Sequence, residues 1–239
     1  MKKKIVKAIS LGLVSATVLA FSGCGTKNEV ETVSEAKKEP SIQWRVDTTG
    51  KYLNDSSVNS VIAVRCTEGH EASVMLFEKS VIGDKNIWTE TLECYAYIGK
   101  EGLGKTKEGD NKTPVGDFGI TTAFGIKPNP GTALPYIDVT DDIYCCGDKE
   151  AYNQMIDIRE LPHKCEGEHL IEYTPEYNYG FFIDYNKEGE VGKGSAIFFH
   201  CRGANTYTGG CVAVSEENMV KILNAIDSNT RIIIDYLPE

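Results

Sequence analysis

At 239 residues the chain holds one sizeable domain, or one domain with a tail, and 41% hydrophobic residues suffice for a core, which excludes collagen-like, coiled-coil and wholly disordered readings. Its 25 Lys and Arg against 35 Asp and Glu give a net charge of −10, and removal of a leader carrying Lys2, Lys3, Lys4 and Lys7 takes it to −14. A surface that acidic repels phosphate backbones at long range, which excludes nucleic acid as a general partner.

In chain order, Met1 to Phe21 opens basic and continues as an apolar run from about Ala8, too short to span a bilayer comfortably; it reads as an export signal. Small residues, Ser22-Gly23, stand directly before Cys24, which resembles the lipobox of bacterial lipoproteins, with Phe21 where that motif usually has leucine. The resemblance implies that residues 1–23 are cut away and that Cys24 is acylated, anchoring the chain to the outer membrane face without a crossing helix. Thr26 to about Ser41 is rich in Lys, Glu, Ser and Thr and reads as a flexible tether. The lipidated terminus and tether are placed at 24–55, and a single catalytic domain at 56–239.

Short apolar runs follow at Val61 to Val64, Ala72 to Phe77, Leu92 to Ile98, Phe118 to Phe124, Gly180 to Tyr185 and Ser195 to His200, separated by Gly, Asn, Asp and Pro. Those are strand signals. The middle, Gly125 to Glu176, offers little regular structure beyond a short helix around Glu150 to Met155, and loops that long often line a cleft. One helix is clear between Ser215 and Asp227: Ser215 caps it, Glu216 and Glu217 sit at its positive end, and Met219, Ile222, Leu223 and Ile226 repeat at helical spacing. Ile232-Ile233-Ile234 returns as a closing strand. The fold class is therefore mainly β (α+β), a small curved barrel or sandwich with one packed C-terminal helix.

Cysteines stand at 24, 66, 94, 145, 146, 165, 201 and 211. With Cys24 lipidated an odd number remains, so at least one thiol is free. Most are expected to be reduced, Cys66 and Cys94 as buried small hydrophobes; Cys145 and Cys146 cannot easily bond each other. His163, Cys165 and His169 are metal-ligand types, but their irregular spacing and the lack of an obvious fourth ligand favour a surface loop, and no metal or cofactor is expected.

A cysteine nucleophile needs a base, backbone donors for the oxyanion and a group that orients the base. Ser195 to His200 is an apolar strand ending on a histidine, and Thr208-Gly209-Gly210-Cys211 places a cysteine after two glycines, shortly before the helix cap. Glycines there permit a tight turn and close approach of backbone to ligand, with the N–H groups of Gly210 and Cys211 facing an oxyanion. A nearby imidazole would favour the Cys211 thiolate at neutral pH.

This stretch resembles the catalytic signature of the L,D-transpeptidase (YkuD-type) family, a histidine ending a strand followed by Ser/Thr-x-Gly-Cys. Gly99-Lys100-Glu101-Gly102-Leu103-Gly104 and Glu108-Gly109-Asp110-Asn111-Lys112-Thr113-Pro114-Val115-Gly116-Asp117-Phe118 resemble its glycine-rich turn and Thr-Pro-x-Gly-x-Phe segment, and Asp141-Asp142 followed by Tyr152-Asn153, with Asp184-Tyr185-Asn186, extend the likeness over about Val58 to Ile234. The resemblance implies an extracytoplasmic enzyme whose partners are peptidoglycan stem peptides, with Cys211 as nucleophile, His200 as base and acid, the Gly210 N–H in the oxyanion hole and the Cys201 carbonyl orienting His200. It implies ping-pong acyl transfer through a thioester, forming 3-3 cross-links.

Two positions depart from the family: Gly209, where many members have histidine, and Ala213, where many have Arg or Asn. Arg202 is the candidate to replace a missing cation, and Thr208 and Gly209 are further candidates for substrate binding. The alternatives are an L,D-carboxypeptidase or other hydrolase using the same thiol, and a non-catalytic wall-binding lipoprotein.

Overall fold

The computed structural model describes residues 47–161 and 164–236. The export signal, Cys24, most of the tether and His163 lie outside the described residues.

Three long strands form an antiparallel meander: β1 (Ser60–Glu68), β2 (Glu71–Ile82) and β3 (Lys85–Tyr97). Each two-residue turn between them begins on a glycine, Gly69 and Gly83, with φ of 54° and 62°, conformations that L side chains rarely adopt. Further strands are β4 (Gly116–Phe118), β5 (Ile120–Gly125), β6 (Tyr136–Asp138), β10 (Gly180–Ile183), β11 (Phe198–Cys201), β12 (Val212–Val214) and β13 (Arg231–Tyr236). Together they make a ten-stranded sheet in the order β4-β13-β1-β2-β3-β12-β11-β10-β5-β6.

This order forces curvature. β4 and β5 lie near opposite ends of the sheet, yet only Gly119 separates them in the chain. Asp184, just after β10, fastens the crossing: its carboxylate accepts the Gly119 N–H at 2.7 Å, and its own N–H donates to the Gly119 carbonyl at 3.1 Å. Phe118 of β4, Ile232 of β13, Val74 of β2, Phe181 of β10 and Val212 of β12 consequently share one core. The expected curved, mainly β architecture is the observed one.

Helix α1 (Glu216–Ala225) packs on that core as its spacing predicts, with Met219, Ile222 and Leu223 buried and the Ser215 hydroxyl accepting the Asn218 N–H at 3.3 Å. Two expectations are corrected. The middle of the chain holds β6 and a separate three-stranded sheet, β8-β7-β9, built from β7 (Ile143–Cys146), β8 (Gln154–Asp157) and β9 (Gly167–His169). No helix forms at Glu150 to Met155: the Asp148 carboxylate takes the N–H groups of Glu150 and Ala151 in a turn, and the chain then extends into β8. The second concerns residues 47–55, assigned to the tether. They pack on the barrel, with Tyr52 buried beside Val58 and Val61 and its hydroxyl donating to Asp117, and with the Thr48 hydroxyl accepting from Arg65 at 2.9 Å.

Cys146 is disulfide-bonded to Cys165, which ties β7 to the approach of β9. Cys66, Cys94, Cys145, Cys201 and Cys211 are free thiols.

Candidate active site

The parallel register of β11 and β12 sets His200 opposite Ala213 and Phe199 opposite Val212. Cys211, one residue before β12, and His200 thereby open into the same cavity of about 540 Å³. The turn before Cys211 is held from two sides. Thr208 pairs with the end of β3 through its N–H to the Ile98 carbonyl (2.9 Å) and its carbonyl to the Lys100 N–H (3.0 Å). Its hydroxyl donates to the Cys211 carbonyl at 2.7 Å and accepts the Gly210 N–H at 3.1 Å. From the other side the Thr113 hydroxyl donates to the same carbonyl at 3.2 Å while accepting the Gly99 N–H at 2.8 Å.

The Gly210 N–H, expected in the oxyanion hole, is thus spent on Thr208. What Gly210 supplies is conformation: its φ is 148°, and a Cβ there would lie 2.8 Å from the Lys112 carbonyl oxygen. Gly209 lines the cavity with open space around the position of a Cβ, so the absent histidine leaves room.

His200 is buried, and its Nδ1 donates to the Cys201 carbonyl at 2.7 Å. A carbonyl only accepts, so the neutral ring carries its proton on Nδ1 and leaves Nε2 as the acceptor. Burial lowers the His200 pKa, opposed by the Cys201 carbonyl and by Glu176. Cys201's own thiol turns away to the Tyr179 carbonyl at 3.5 Å, and burial pushes it up to about 12.

The Cys211 thiol donates to the Ala196 carbonyl at 3.2 Å and accepts the Phe198 N–H at 3.3 Å. Among the described residues it makes no hydrogen bond to His200. Burial, then the Glu168 charge, push its pKa up to about 12 against the Phe198 N–H and Lys105. Burial disfavours the Cys211 thiolate and the His200 imidazolium alike, which runs against the expectation of a thiolate at neutral pH.

Ala196 offers its carbonyl from a left-handed conformation (φ 53°). Asn153 holds it there, accepting the Ala196 N–H at 2.9 Å while its amide donates to the carbonyls of Tyr185 (3.1 Å) and Asn186 (2.9 Å). Backbone strain of this kind costs about 1–3 kcal/mol and persists only where the surroundings enforce it.

Thr208, Gly209 and Gly210 line the cavity with Cys211 and His200; Arg202 does not. Its guanidinium lies 6.0 and 5.7 Å from the ring centres of Tyr95 and Tyr97, so it is corrected as a candidate for the cavity. The sequence reading also missed three groups. Lys105 and Asp110 form an ion pair at 3.0 Å, almost fully buried, in which backbone N–H groups and Lys105 hold the Asp110 carboxyl far below its usual range despite burial. Glu108 accepts from the Tyr152 and Ser195 hydroxyls. Glu168 accepts from the Tyr177 hydroxyl, and the Tyr177 ring stands edge-on to His200 at 5.4 Å. Lys105 directly follows the glycine-rich turn and Asp110 lies in the segment that leads to Thr113, so both were within reach of the motifs; Glu168 sits in a stretch whose polar composition resembles any exposed loop.

Among the described residues, the metal-ligand types do not assemble as a set. Cys165 is in the disulfide, and the His169 ring bonds Glu172 (3.0 Å) and the Asp141 carbonyl (2.8 Å). Asp148 lies within 4.8 Å of the Cys146 and Cys165 sulfurs, but the two sulfurs are bonded to each other.

Residues 79–234 match the model of the L,D-transpeptidase catalytic domain, YkuD. No curated protein matches the chain. Similar solved structures include the helical cell shape determining protein Pgp2 from Campylobacter jejuni (16% identity, TM-score 0.41, covering 81% of this chain and 56% of that one). An L,D-transpeptidase from Mycobacterium smegmatis (14%, 0.34, 74% and 58%) and L,D-transpeptidase 1 of Mycobacterium tuberculosis (13%, 0.32, 74% and 61%) are also similar. The chain spans less than two thirds of the length of each of these structures.

Proposed function

The chain belongs to the L,D-transpeptidase catalytic-domain family, and on that footing we propose that it is an exported cysteine acyltransferase that joins peptidoglycan stem peptides by 3-3 cross-links. The observation that carries the reading is that the Cys211 thiol and the His200 ring line one cavity, with His200 Nδ1 committed to the Cys201 carbonyl.

In this mechanism the substrate carbonyl enters between sulfur and imidazole. The thiol proton passes to His200 Nε2 as the sulfur attacks, and the tetrahedral oxyanion takes the Cys211 N–H as donor, since the Gly210 N–H is already bonded. Collapse forms the thioester and expels the terminal D-alanine, whose amine takes the proton from the imidazolium. An amine of a second stem then attacks the thioester, gives its proton to His200, and the thiolate recovers a proton from the imidazolium. The raised thiol and lowered imidazole pKa make proton transfer part of the attack rather than a preceding step.

Export and acylation at Cys24 complete the proposal, because the substrate lies outside the membrane; no helix among the described residues is long and apolar enough to cross one. The test is mass spectrometry of wall sacculi digested after incubation with the protein. Cross-linked 3-3 dimers, absent with Cys211→Ala, are the expected product. Shortened monomers alone would make it a hydrolase, and the absence of any carbapenem adduct on Cys211 would make it a binding protein.

A further inference from the structure

The charges around the Cys211 cavity do not balance. Its wall carries Glu108, Glu168 and Glu176 against one lysine, Lys105, whose ammonium is already paired with Asp110. Glu108 is satisfied: one oxygen takes the Tyr152 and Ser195 hydroxyls and the other the Gly109 N–H at 3.2 Å. Glu168 is not. Tyr177 donates to its Oε2, and among the described residues no donor reaches its Oε1, although the side chain lines the cavity. Burial raises the Glu168 pKa, and Glu108 acts in the same sense against the Tyr177 hydroxyl, so its ionised form is the one that an arriving cation would stabilise. A carboxylate withdrawn from water with one oxygen unmatched is stabilised best by a cation bearing hydrogen-bond donors.

Resting on the assignment of Cys211 as nucleophile, we propose that Glu168 is a specificity-determining residue that receives a primary ammonium of the substrate through Oε1, the oxygen that Tyr177 does not take. Tyr177 fixes the carboxylate from behind and, through its edge contact with His200, sets the bound ammonium in register with the base. The ammonium belongs either to the peptide that acylates Cys211 or to the one that accepts the acyl group, and separate steps report the two.

The first experiment needs no turnover. Cys211 in the full chain, disulfide intact, is labelled with two methanethiosulfonates of similar size, one bearing an ammonium and one a sulfonate, and the rate of each is read on the Cys211 peptide by mass spectrometry. The Cys211 sulfur forms a mixed disulfide and methanesulfinate leaves in both cases, so the ratio of the rates cancels any change in thiol ionisation. The cationic reagent is expected to react about tenfold faster at low salt, as a desolvated unlike-charge contact requires. Glu168→Gln, which keeps an acceptor for Tyr177, should reduce that ratio several-fold, while the exposed Glu217→Gln should leave it unchanged. Equal rates in the unmodified protein, or an unaltered ratio in Glu168→Gln, would overturn the proposal; should that variant not fold, equal rates in the unmodified protein still overturn it, and Tyr177→Phe, which frees the Glu168 carboxylate, should alter the ratio.

The second experiment locates the amine. Acylation of Cys211 by a stem tetrapeptide with a free side-chain amine, compared with its N-acetyl form, should lose its preference in Glu168→Gln if the ammonium belongs to the donor. If it belongs to the acceptor, only aminolysis of the preformed thioester slows. Retention of both steps at full rate in Glu168→Gln would overturn the proposal. Charge-selective labelling without any acylation would instead sink the transferase reading and leave the cation site standing.

Discussion

The Thr208 hydroxyl bridges its own turn, donating to the Cys211 carbonyl at 2.7 Å while taking the Gly210 N–H at 3.1 Å. One side chain thereby fixes the Gly209–Gly210 peptide unit before the nucleophile and the Cys211–Val212 unit after it. Thr208→Ala removes both bonds and is expected to cost about 1–3 kcal/mol of stability, with slower acylation of Cys211, whereas Thr208→Ser keeps both. Denaturant titration and acyl-enzyme mass spectrometry of the two variants check this; equal loss in both would refute it.

The adjacent glycines should respond oppositely to alanine. At Gly210 a Cβ meets the Lys112 carbonyl at 2.8 Å in a conformation with φ of 148°, so Gly210→Ala should lose about 1–3 kcal/mol and most acylation. Gly209 has no atom within 4 Å of a Cβ, so Gly209→Ala should stay within about 0.5 kcal/mol of the parent protein.

Cys211, with its pKa pushed up to about 12, should react with neutral iodoacetamide at a rate that rises about tenfold per pH unit from 7 to 10. A plateau near pH 7 would mean that a thiolate is present at rest. Cys201→Ser should leave that rate unchanged, since the Cys201 sulfur faces the Tyr179 carbonyl instead of the cavity.

His200 is held neutral by burial, so its pKa in the fold is below the unfolded value of 6.5. Its contribution to stability is full above pH 6.5 and is lost as pH falls through 6.5 toward the folded value, because the unfolded chain then binds a proton that the folded one resists. The His169 pKa is raised, chiefly by Glu172 and Asp141 against burial, and it acts in the opposite sense. The measurement is therefore the stability difference between the parent and His200→Gln from pH 7.5 to 5, expected to narrow on acidification.

The Cys146–Cys165 bond closes a loop with a sequence separation of 19 residues that contains β8 and ends two residues before β9, the two sheet neighbours of β7. Replacing both cysteines by serine should cost about 3 kcal/mol by the chain-entropy argument, lowering the thermal midpoint. An unchanged midpoint would show that the bond does not constrain the unfolded chain.

Most of the barrel was legible because its strands carry continuous apolar runs and α1 carries a complete cap and stripe. Ser215, Met219, Ile222 and Leu223 do in the fold what their spacing predicts. The middle was not legible: β7 to β9 are three or four residues long, and pairing across 143–169 rather than local pattern makes them strands. At the site, the shared cavity of Cys211 and His200 and the bond from His200 to the Cys201 carbonyl are arrangements that the family resemblance implied, since a motif carries residue type and order. Glu168 and Lys105 were not legible, since their importance comes from burial, which polar residues in loops do not advertise. The direction of the Cys211 pKa was hidden for the same reason: burial, which raises it, does not show in the sequence.

The passage of the chain through Gly119 from one flank of the barrel to the other also bears on how the protein is made. β1 and β4 both depend on β13, more than a hundred residues further along than either, so a chain emerging from its amino end cannot close the barrel until residue 236 is out. Such distant pairings make folding slow and leave apolar strands uncovered in the interim. The barrel should therefore close only once residue 236 has emerged, with the β1 to β3 meander lacking its β13 neighbour until then.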